Sequence, residues 1–145
     1  MLSNAIVYPS LPAVNIIRAK KFYQEKLGLK IVSEDPGPGV MFQAGQNTML
    51  YLYQRGATKA DHTAAMFTVD NLESEVKDLK SKGVKFEEYN IPEMKIKTVN
   101  SIAVFEGMKA AWFKDTEGNI LGIGELTDPK MKAKMADMMA AGASK

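Results

Sequence analysis

The chain has 145 residues, which suits one compact domain and leaves no room for two of ordinary size. Hydrophobic residues make up 46% of it and charged residues 25%, so there is enough apolar material for a core and an ordinary polar surface. The chain contains no cysteine, which excludes disulfides, thiolate metal sites and cysteine nucleophiles.

The net charge is +2, and basic residues form two short runs, at 18–21 and 130–134. Neither run is interleaved with aromatic side chains that could stack on bases, so we interpret both as solvated helix faces and expect no nucleic-acid partner. No stretch approaches the ~20 apolar residues of a membrane span, and the chain starts without the basic leader or cleavage site of a signal peptide. We therefore expect a cytoplasmic protein that has no membrane partner.

The first half of the chain predicts a strand, a helix and three further strands. Residues 5–14 are β-prone but interrupted by prolines, which is typical of an irregular or edge strand. Asn15 can cap a helix whose apolar residues recur at helical spacing, and Gly28 stands where a left-handed residue often ends a helix. The predicted strands that follow are 30–33, 40–43 and 48–53, separated by a Pro-Gly cluster at 36–39 and a turn at 45–47.

The second half repeats this order. A strand at 64–69 precedes a helix that Asp70 or Asn71 can cap and that ends at Gly83. The elements predicted after it are a strand starting at 84–86, a longer loop containing Pro92, a strand at 109–113, a turn at 115–119 and a strand at 120–123.

Two landmarks indicate an internal duplication. Gly28 and Gly83 lie 55 positions apart, and Asn15 and Asn71 lie 56 apart, so both helices start and end with nearly the same offset. The sequence therefore predicts an α+β fold of two tandem βαβββ modules, at 5–55 and 62–127, within a single domain at 1–127. We expect the modules to form a curved, half-open barrel with a concave cavity.

Residues 128–145 differ in character from the rest and predict a C-terminal amphipathic helix with a tail. Asp128 can cap it, with proline at the first helical position. Four methionines then fall on one face, at positions 131, 135, 138 and 139. This helix could dock on its own domain or across a dimer, or it could form a flexible lid over the cavity, since methionine adapts to varied shapes.

Three motifs carry a resemblance to the vicinal-oxygen-chelate superfamily, which includes glyoxalase I, bleomycin-resistance proteins and extradiol dioxygenases. They are the segment at 19–29, the segment at 113–121, and Val69 to Leu72 followed by Gly83. The resemblance covers about residues 5–126, and it departs from the usual pattern at Thr116, where proline is common. It implies the two-module fold and a homodimer, but says little about the reaction, because this fold supports many chemistries.

The metal-dependent members of that superfamily take ligands from the first and last strand of each module. The corresponding positions here are Tyr8, Ala64, Gly122 and, depending on register, Leu50, Tyr51 or Leu52. A divalent ion needs converging imidazoles or carboxylates, which these residues do not supply. We expect neither a metal nor another cofactor, and no catalytic residue can be assigned.

An enzymatic alternative remains open. A shifted metal site could combine the only histidine, His62, with Glu106 or Glu125, which would make the chain a divergent lyase, isomerase or dioxygenase. The spacing does not favour it, because His62 lies in a predicted linker and Glu125 would face away from Gly122.

The predicted cavity is lined mainly by aromatic and sulfur-bearing side chains. With His62 included, the candidates are Tyr8, Phe42, Tyr51, Tyr53, His62, Met66 and Trp112. This lining predicts a glyoxalase- or bleomycin-resistance-like protein, free of metal, that binds a small aromatic or apolar molecule. A third possibility is a domain whose main role is contact with a second copy or another protein through the methionine helix.

Overall fold

The computed structural model describes residues 1–143 and the side chains of residues 1–140. The end of the predicted C-terminal helix and tail, at 144–145, lies outside the described residues. The fold is α+β, as the sequence predicts, and divides into two compact units, Met1–Lys59 and Ala60–Lys145. That the modules form a single domain at 1–127 stays a prediction.

The first unit contains a four-stranded sheet, a helical segment that packs on it, and short 3-10 turns, the first at Leu2–Asn4. The strands lie in the order β1-β4-β3-β2, with β1 parallel to β4 and the other pairs antiparallel. Their bounds are β1 (Ser10–Ala13), β2 (Lys30–Asp35), β3 (Gly39–Gln43) and β4 (Met49–Gln54). Helix α1 (Ile16–Lys21) continues into a π-helical turn, Phe22–Lys26. A short 3-10 turn, Gly45–Asn47, joins β3 to β4.

The first helix starts and ends as its sequence predicts. The Asn15 side chain accepts a hydrogen bond from the Arg18 backbone N–H at 3.0 Å, which satisfies a donor that the helix leaves unpaired. Gly28 has a φ of 72°, a left-handed conformation that glycine adopts without a steric cost. Beneath the helical segment, the Tyr23 ring stacks on the Phe42 ring of β3, with centroids 5.7 Å apart.

The core of the first unit lies on the face of the sheet that the helix covers. Along β4, Leu50 and Leu52 are buried there, whereas Tyr51 and Tyr53 alternate onto the other face and are half-buried. The first sheet is therefore apolar and covered on one side and carries partly exposed tyrosines on the other.

The second unit contains a six-stranded sheet in the order β5-β10-β9-β8-β7-β6 and two helices. Its strands are β5 (Thr63–Thr68), β6 (Asn90–Ile91), β7 (Ile96–Val99), β8 (Ile102–Phe105), β9 (Met108–Lys114) and β10 (Ile120–Leu126). Helix α2 (Leu72–Ser81) is capped by Asn71, whose side chain accepts from the Ser74 N–H at 3.0 Å, and it ends before Gly83 at a φ of 88°. Leu72, Val76 and Leu79 are its buried residues.

Two local predictions for the second unit are wrong. Residues 84–86 form no strand, because Phe86 makes only a single bridge to Phe113. The segment around Pro92 is not a loop but contains β6, a 3-10 turn (Pro92–Met94), β7 and β8. β8 pairs with the first three residues of β9, from Ala103↔Ala110 to Phe105↔Met108.

Helix α3 (Pro129–Ala143) begins as predicted. The Asp128 carboxylate accepts a hydrogen bond from the Lys130 N–H at 3.0 Å, and the backbone N–H groups of Thr127 and Asp128 donate to the Gly107 carbonyl. The four methionines predicted to share one face are 37% to 65% exposed. Within residues 1–143, no helix has the length and apolar character needed to cross a membrane.

Candidate functional site

The open face of the first sheet brings together the tyrosines of β4. The Tyr51 and Tyr53 rings are nearly parallel, with an interplanar angle of 11° and centroids 6.3 Å apart. Both side chains are half-buried, so each ring is supported by its neighbours and still reaches solvent. Two of the predicted cavity residues therefore form one aromatic surface.

Asp35, at the end of β2, adds a carboxylate to this surface. The Tyr51 hydroxyl donates a hydrogen bond to Asp35 Oδ2 at 2.7 Å. This bond to a charged acceptor, together with burial and the nearby carboxylate charge, raises the pKa of Tyr51 above its ordinary value, and Tyr8 contributes in the same direction. The phenol therefore stays protonated at neutral pH, and Tyr8, which is 41% exposed, belongs to the same neighbourhood.

Gly39 makes room for that arrangement. It faces Tyr53 across the β3–β4 pairing and Asp35 across the β2–β3 pairing. A side chain built on Gly39 would overlap the hydroxyl and ring of Tyr51, so the absence of a side chain lets that ring lie over the sheet. We call Asp35, Gly39, Tyr51 and Tyr53 the tyrosine–aspartate surface.

Two other residues that the sequence predicts to line the cavity, Phe42 and His62, lie outside the tyrosine–aspartate surface. Phe42 is fully buried on the helix-covered face of the first sheet, against Tyr23, and so packs in the core. His62 is exposed and directly precedes β5. Neither belongs to the tyrosine–aspartate surface.

In the second unit, Met66 and Trp112 lie on the same face of the sheet. Two residues that line one cavity must share a face in this way. Met66 is paired with Gly122 across β5 and β10, and a side chain at Gly122 would meet the Met66 sulfur and Trp112 Cδ1. At Gly124 a side chain would meet the terminal methyl groups of Met66 and Met108. Met66 itself remains 47% exposed.

Trp112, by contrast, is already surrounded by its own unit. Its side chain is 9% exposed and meets Tyr89 and Phe105 edge-on, with ring centroids 5.5 Å and 6.4 Å away. Ala103 and Ala110 complete the buried centre of this cluster. Phe105 ends β8, a strand that the sequence misses, and Tyr89 directly precedes β6, so this segment supplies the aromatic cover over Trp112.

The metal positions implied by the family resemblance do not suit a divalent ion. Ala64 and Gly122 lie on β5 and β10 and have no donor atom in their side chains, and Leu50 and Leu52 are buried in the core. Within the described residues, no three histidine, cysteine, aspartate or glutamate side chains come together closely enough to hold a metal. The donor set required for a catalytic zinc or iron is therefore not assembled at these positions.

Glu125, a candidate ligand of the alternative, shifted metal site, is engaged in contacts with α2 and with Lys109. Glu125 Oε1 accepts a hydrogen bond from the Leu72 N–H at 2.8 Å and so stabilises the start of α2. Its other oxygen lies 3.8 Å from Lys109 Nζ, and the Glu73 carboxylate at 2.6 Å raises the pKa of Lys109. Glu125 thus serves to attach the helix to the sheet.

Glu106 lies in the turn between β8 and β9, beside an open hollow of about 510 Å³ that Gly107, Thr127, Asp128 and Pro129 also line. This hollow lies at the start of α3, and none of the aromatic candidates lines it. The hollow is lined by backbone and carboxylate groups. Among the described residues that line it, none carries an aromatic ring of the kind found on the tyrosine–aspartate surface.

Several solved structures share the fold at low sequence identity. A putative glyoxalase family protein from Bacillus anthracis matches with a TM-score of 0.67 and 15% identity, covering 86% of this chain and 96% of that one. TnmS3, an antibiotic binding protein from Streptomyces sp. CB03234, matches with a TM-score of 0.64 and 20% identity, covering 88% and 99%. Lactoylglutathione lyase from Agrobacterium tumefaciens matches with a TM-score of 0.62 and 22% identity, covering 84% and 93%.

No curated protein matches the chain in sequence. The family model described as Glyoxalase/Bleomycin resistance protein/Dioxygenase superfamily matches residues 5–123, most of the chain and nearly the span over which the three sequence motifs lie. The family match, the shared fold and the capped helices of both units agree with one another. The chain therefore belongs to the Glyoxalase/Bleomycin resistance protein/Dioxygenase superfamily.

Proposed function

We propose that this chain is a binding protein that holds a small aromatic or apolar molecule and uses no metal at the positions where its catalytic relatives bind one. One observation carries the proposal: those positions hold residues such as Ala64 and Gly122, which cannot ligate a metal, while β4 presents Tyr51 and Tyr53 and β5 presents Met66. Aromatic side chains gain most from covering another flat, apolar surface.

The tyrosine–aspartate surface is the best-supported place for such a ligand. Its rings are held parallel, and its polar groups are few and fixed, which is the usual composition of a small-molecule site. The resemblance to a structure named as an antibiotic binding protein is consistent with this role. No contact among the described residues favours the enzymatic alternative built on His62, Glu106 and Glu125.

A thermal-shift screen of planar aromatic compounds tests the proposal. A ligand at a hundred times its dissociation constant adds about 2.7 kcal/mol to the free energy of unfolding, which is easily visible as a higher Tm. We expect at least one compound to bind, and Tyr53→Ser to weaken it at least tenfold. Val104→Ser, which removes a 73%-exposed side chain from β8, is the matched control and should leave binding unchanged. A broad panel without any hit, or equal losses in the two variants, would overturn the proposal.

We also propose that the protein works in the cytoplasm as a homodimer. The exposed methionines of α3 are a candidate contact, since methionine packs against surfaces of varied shape. Sizing chromatography of the full chain and of a chain ending at residue 127 tests this. A dimer that becomes monomeric on truncation supports contact through α3, and a full-length monomer refutes the homodimer.

A further inference from the structure

The two carboxylates at the end of β2 have different partners. Glu34 is neutralised by Lys20, whose Nζ lies 2.8 Å from Glu34 Oε1. Asp35 points to the opposite face, where Oδ2 accepts the hydrogen bond from the Tyr51 hydroxyl. Among residues 1–140, whose side chains the structure describes, no lysine or arginine forms an ion pair with Asp35. Within the described side chains, the charge on Asp35 is therefore not balanced by a basic residue.

Tyr51 reaches this carboxylate through its hydroxyl, and the Tyr53 ring lies next to the Tyr51 ring. The Tyr51 and Tyr53 rings are parallel within 11°, and Gly39 leaves the space in which the Tyr51 ring reaches Asp35. The face of an aromatic ring carries negative potential and attracts a cation within about 6 Å of its centre. Asp35 and Tyr53 pair with Gly39 from either side and so lie on one face of the sheet with Tyr51, which gives that face a carboxylate and aromatic rings that both attract positive charge.

We propose that Asp35, Tyr51 and Tyr53 form a subsite for the ammonium group of an organic cation. This inference rests on the proposed binding function and specifies the chemistry of the ligand at one end. Alkylated ammonium groups fit best, because they are weakly hydrated and present methyl groups to the rings while Asp35 balances their charge. The net charge of +2 gives no long-range attraction for a cation, so selectivity must come from direct contact with these three residues.

A matched pair of probes isolates the charge. Choline and 3,3-dimethylbutan-1-ol have the same shape, and differ in that a nitrogen with a positive charge replaces a neutral carbon. Titrated into the ¹⁵N-labelled full chain and followed by NMR, choline should bind at least tenfold more tightly and shift the amide signals of β2 and β4. Equal affinity for the two probes would overturn the proposal.

Variants separate the contributions of carboxylate and ring. Asp35→Asn should reduce the preference for choline to less than about threefold, whereas Glu34→Gln, on the other face of the same strand, should leave it unchanged. Tyr53→Phe should retain choline binding, and Tyr53→Leu should lose most of it, because only the first keeps the ring face. NMR spectra of each variant establish that it is folded.

The outcome also distinguishes this inference from the proposed function. If neutral aromatic compounds bind at the tyrosine–aspartate surface and choline shows no advantage, only the ammonium subsite is refuted. If neither choline nor any aromatic compound binds, both are refuted. An equal loss of the preference in Asp35→Asn and Glu34→Gln would also contradict the subsite, because the two carboxylates lie on different faces.

Discussion

The thioether of Met66 lies over Gly122, its partner across the parallel pairing of β5 and β10. Gly122 stands at one of the positions that correspond to metal ligands in the metal-dependent relatives, and here the Met66 side chain fills the space above it. Gly122 has no side chain, and the long, flexible side chain of Met66 occupies the space that one would take. The two residues thus form one packing arrangement.

This relationship predicts a coupling between the two positions. Gly122→Ala should lower the free energy of unfolding by up to about 1 kcal/mol, because the added methyl group displaces the flexible end of Met66 and approaches Trp112 Cδ1. In a Met66→Ala background the same change should cost less than about 0.5 kcal/mol, since the main obstacle is gone. Urea denaturation of the four proteins measures the coupling. An equal cost in both backgrounds would show that Met66 does not occupy this space.

Trp112 is the only tryptophan, so its fluorescence reports on the aromatic cluster of the second unit. At 9% exposure it should emit at short wavelength and be quenched weakly by acrylamide. Phe105→Ala should shift the emission to longer wavelength and lower the free energy of unfolding by about 2 kcal/mol, because a ring packed edge-on against Trp112 is removed. Val104→Ala, on the exposed side of β8, should change neither. Unchanged emission in Phe105→Ala would contradict the packing.

Asp115 should be essential to the turn between β9 and β10. Its buried carboxylate accepts hydrogen bonds from the Glu117 and Asn119 N–H groups and from the Asn119 side-chain amide, each at 2.8 Å. Asp115→Ala removes the acceptor of all three and should cost about 2–4 kcal/mol in the free energy of unfolding. Thr116→Ala, at the exposed neighbour, should cost less than about 0.5 kcal/mol. Similar midpoints of denaturation for the two variants would refute this role.

Glu88 should make stability depend on pH in the acid range. Hydrogen bonds from the Thr98 hydroxyl and from the backbone and hydroxyl of Ser101 lower the pKa of Glu88. A folded-state pKa below the unfolded value of about 4.3 means that Glu88 stabilises the fold above that pH, and that this contribution is lost as the pH falls through the folded pKa.

Glu88→Gln should therefore lower the free energy of unfolding by about 1 kcal/mol at pH 7, a modest amount because the carboxyl group is solvent-exposed. The difference from the unchanged protein should shrink below about pH 4. Urea denaturation at a series of pH values checks both statements, with Glu93→Gln as the control in the nearby 3-10 turn. A difference that is constant with pH would exclude a role for the charge.

The sequence predicts the features that depend on neighbouring residues. Asn15 and Asn71 cap their helices, and Gly28 and Gly83 follow them with positive φ, because a cap needs only a side-chain acceptor and a left-handed residue a few positions away. The pairing of Tyr51 with Tyr53 is predictable for the same reason, since residues two apart on a strand share a face.

The strands between residues 90 and 105 depend on contacts that are distant in sequence. β8 is held by pairing with β9 and by packing of Phe105 on Trp112, and the β7–β8 turn uses Asn100 and Ser101 at φ values of 51° and 77° without a glycine. Turn signals based on glycine and proline therefore place a loop here. Pro92 lies in a short 3-10 turn and does not prevent the strands on either side.

Asp35 was missed for a different reason. The β2–β3 register shifts between Ile31 and Ser33, so the alternation of faces counted from Lys30 no longer holds at Asp35. The sequence also treats Pro36 to Gly39 as a simple break between strands, whereas Gly39 begins β3 and lies under Tyr51. A strand that ends in a carboxylate followed by a Pro-Gly turn was the only signal available.

The most direct test of the central claim is aromatic ligand binding with and without a chelator. The protein is dialysed against EDTA, and the Kd of the strongest hit from the aromatic panel is measured by calorimetry before and after one equivalent of Zn²⁺, Ni²⁺, Fe²⁺ or Mn²⁺ is added. A binding protein without a metal at the family's positions should give the same Kd within twofold throughout. Binding that disappears in EDTA and returns with one of these ions would contradict the account and support the metal-dependent enzyme instead.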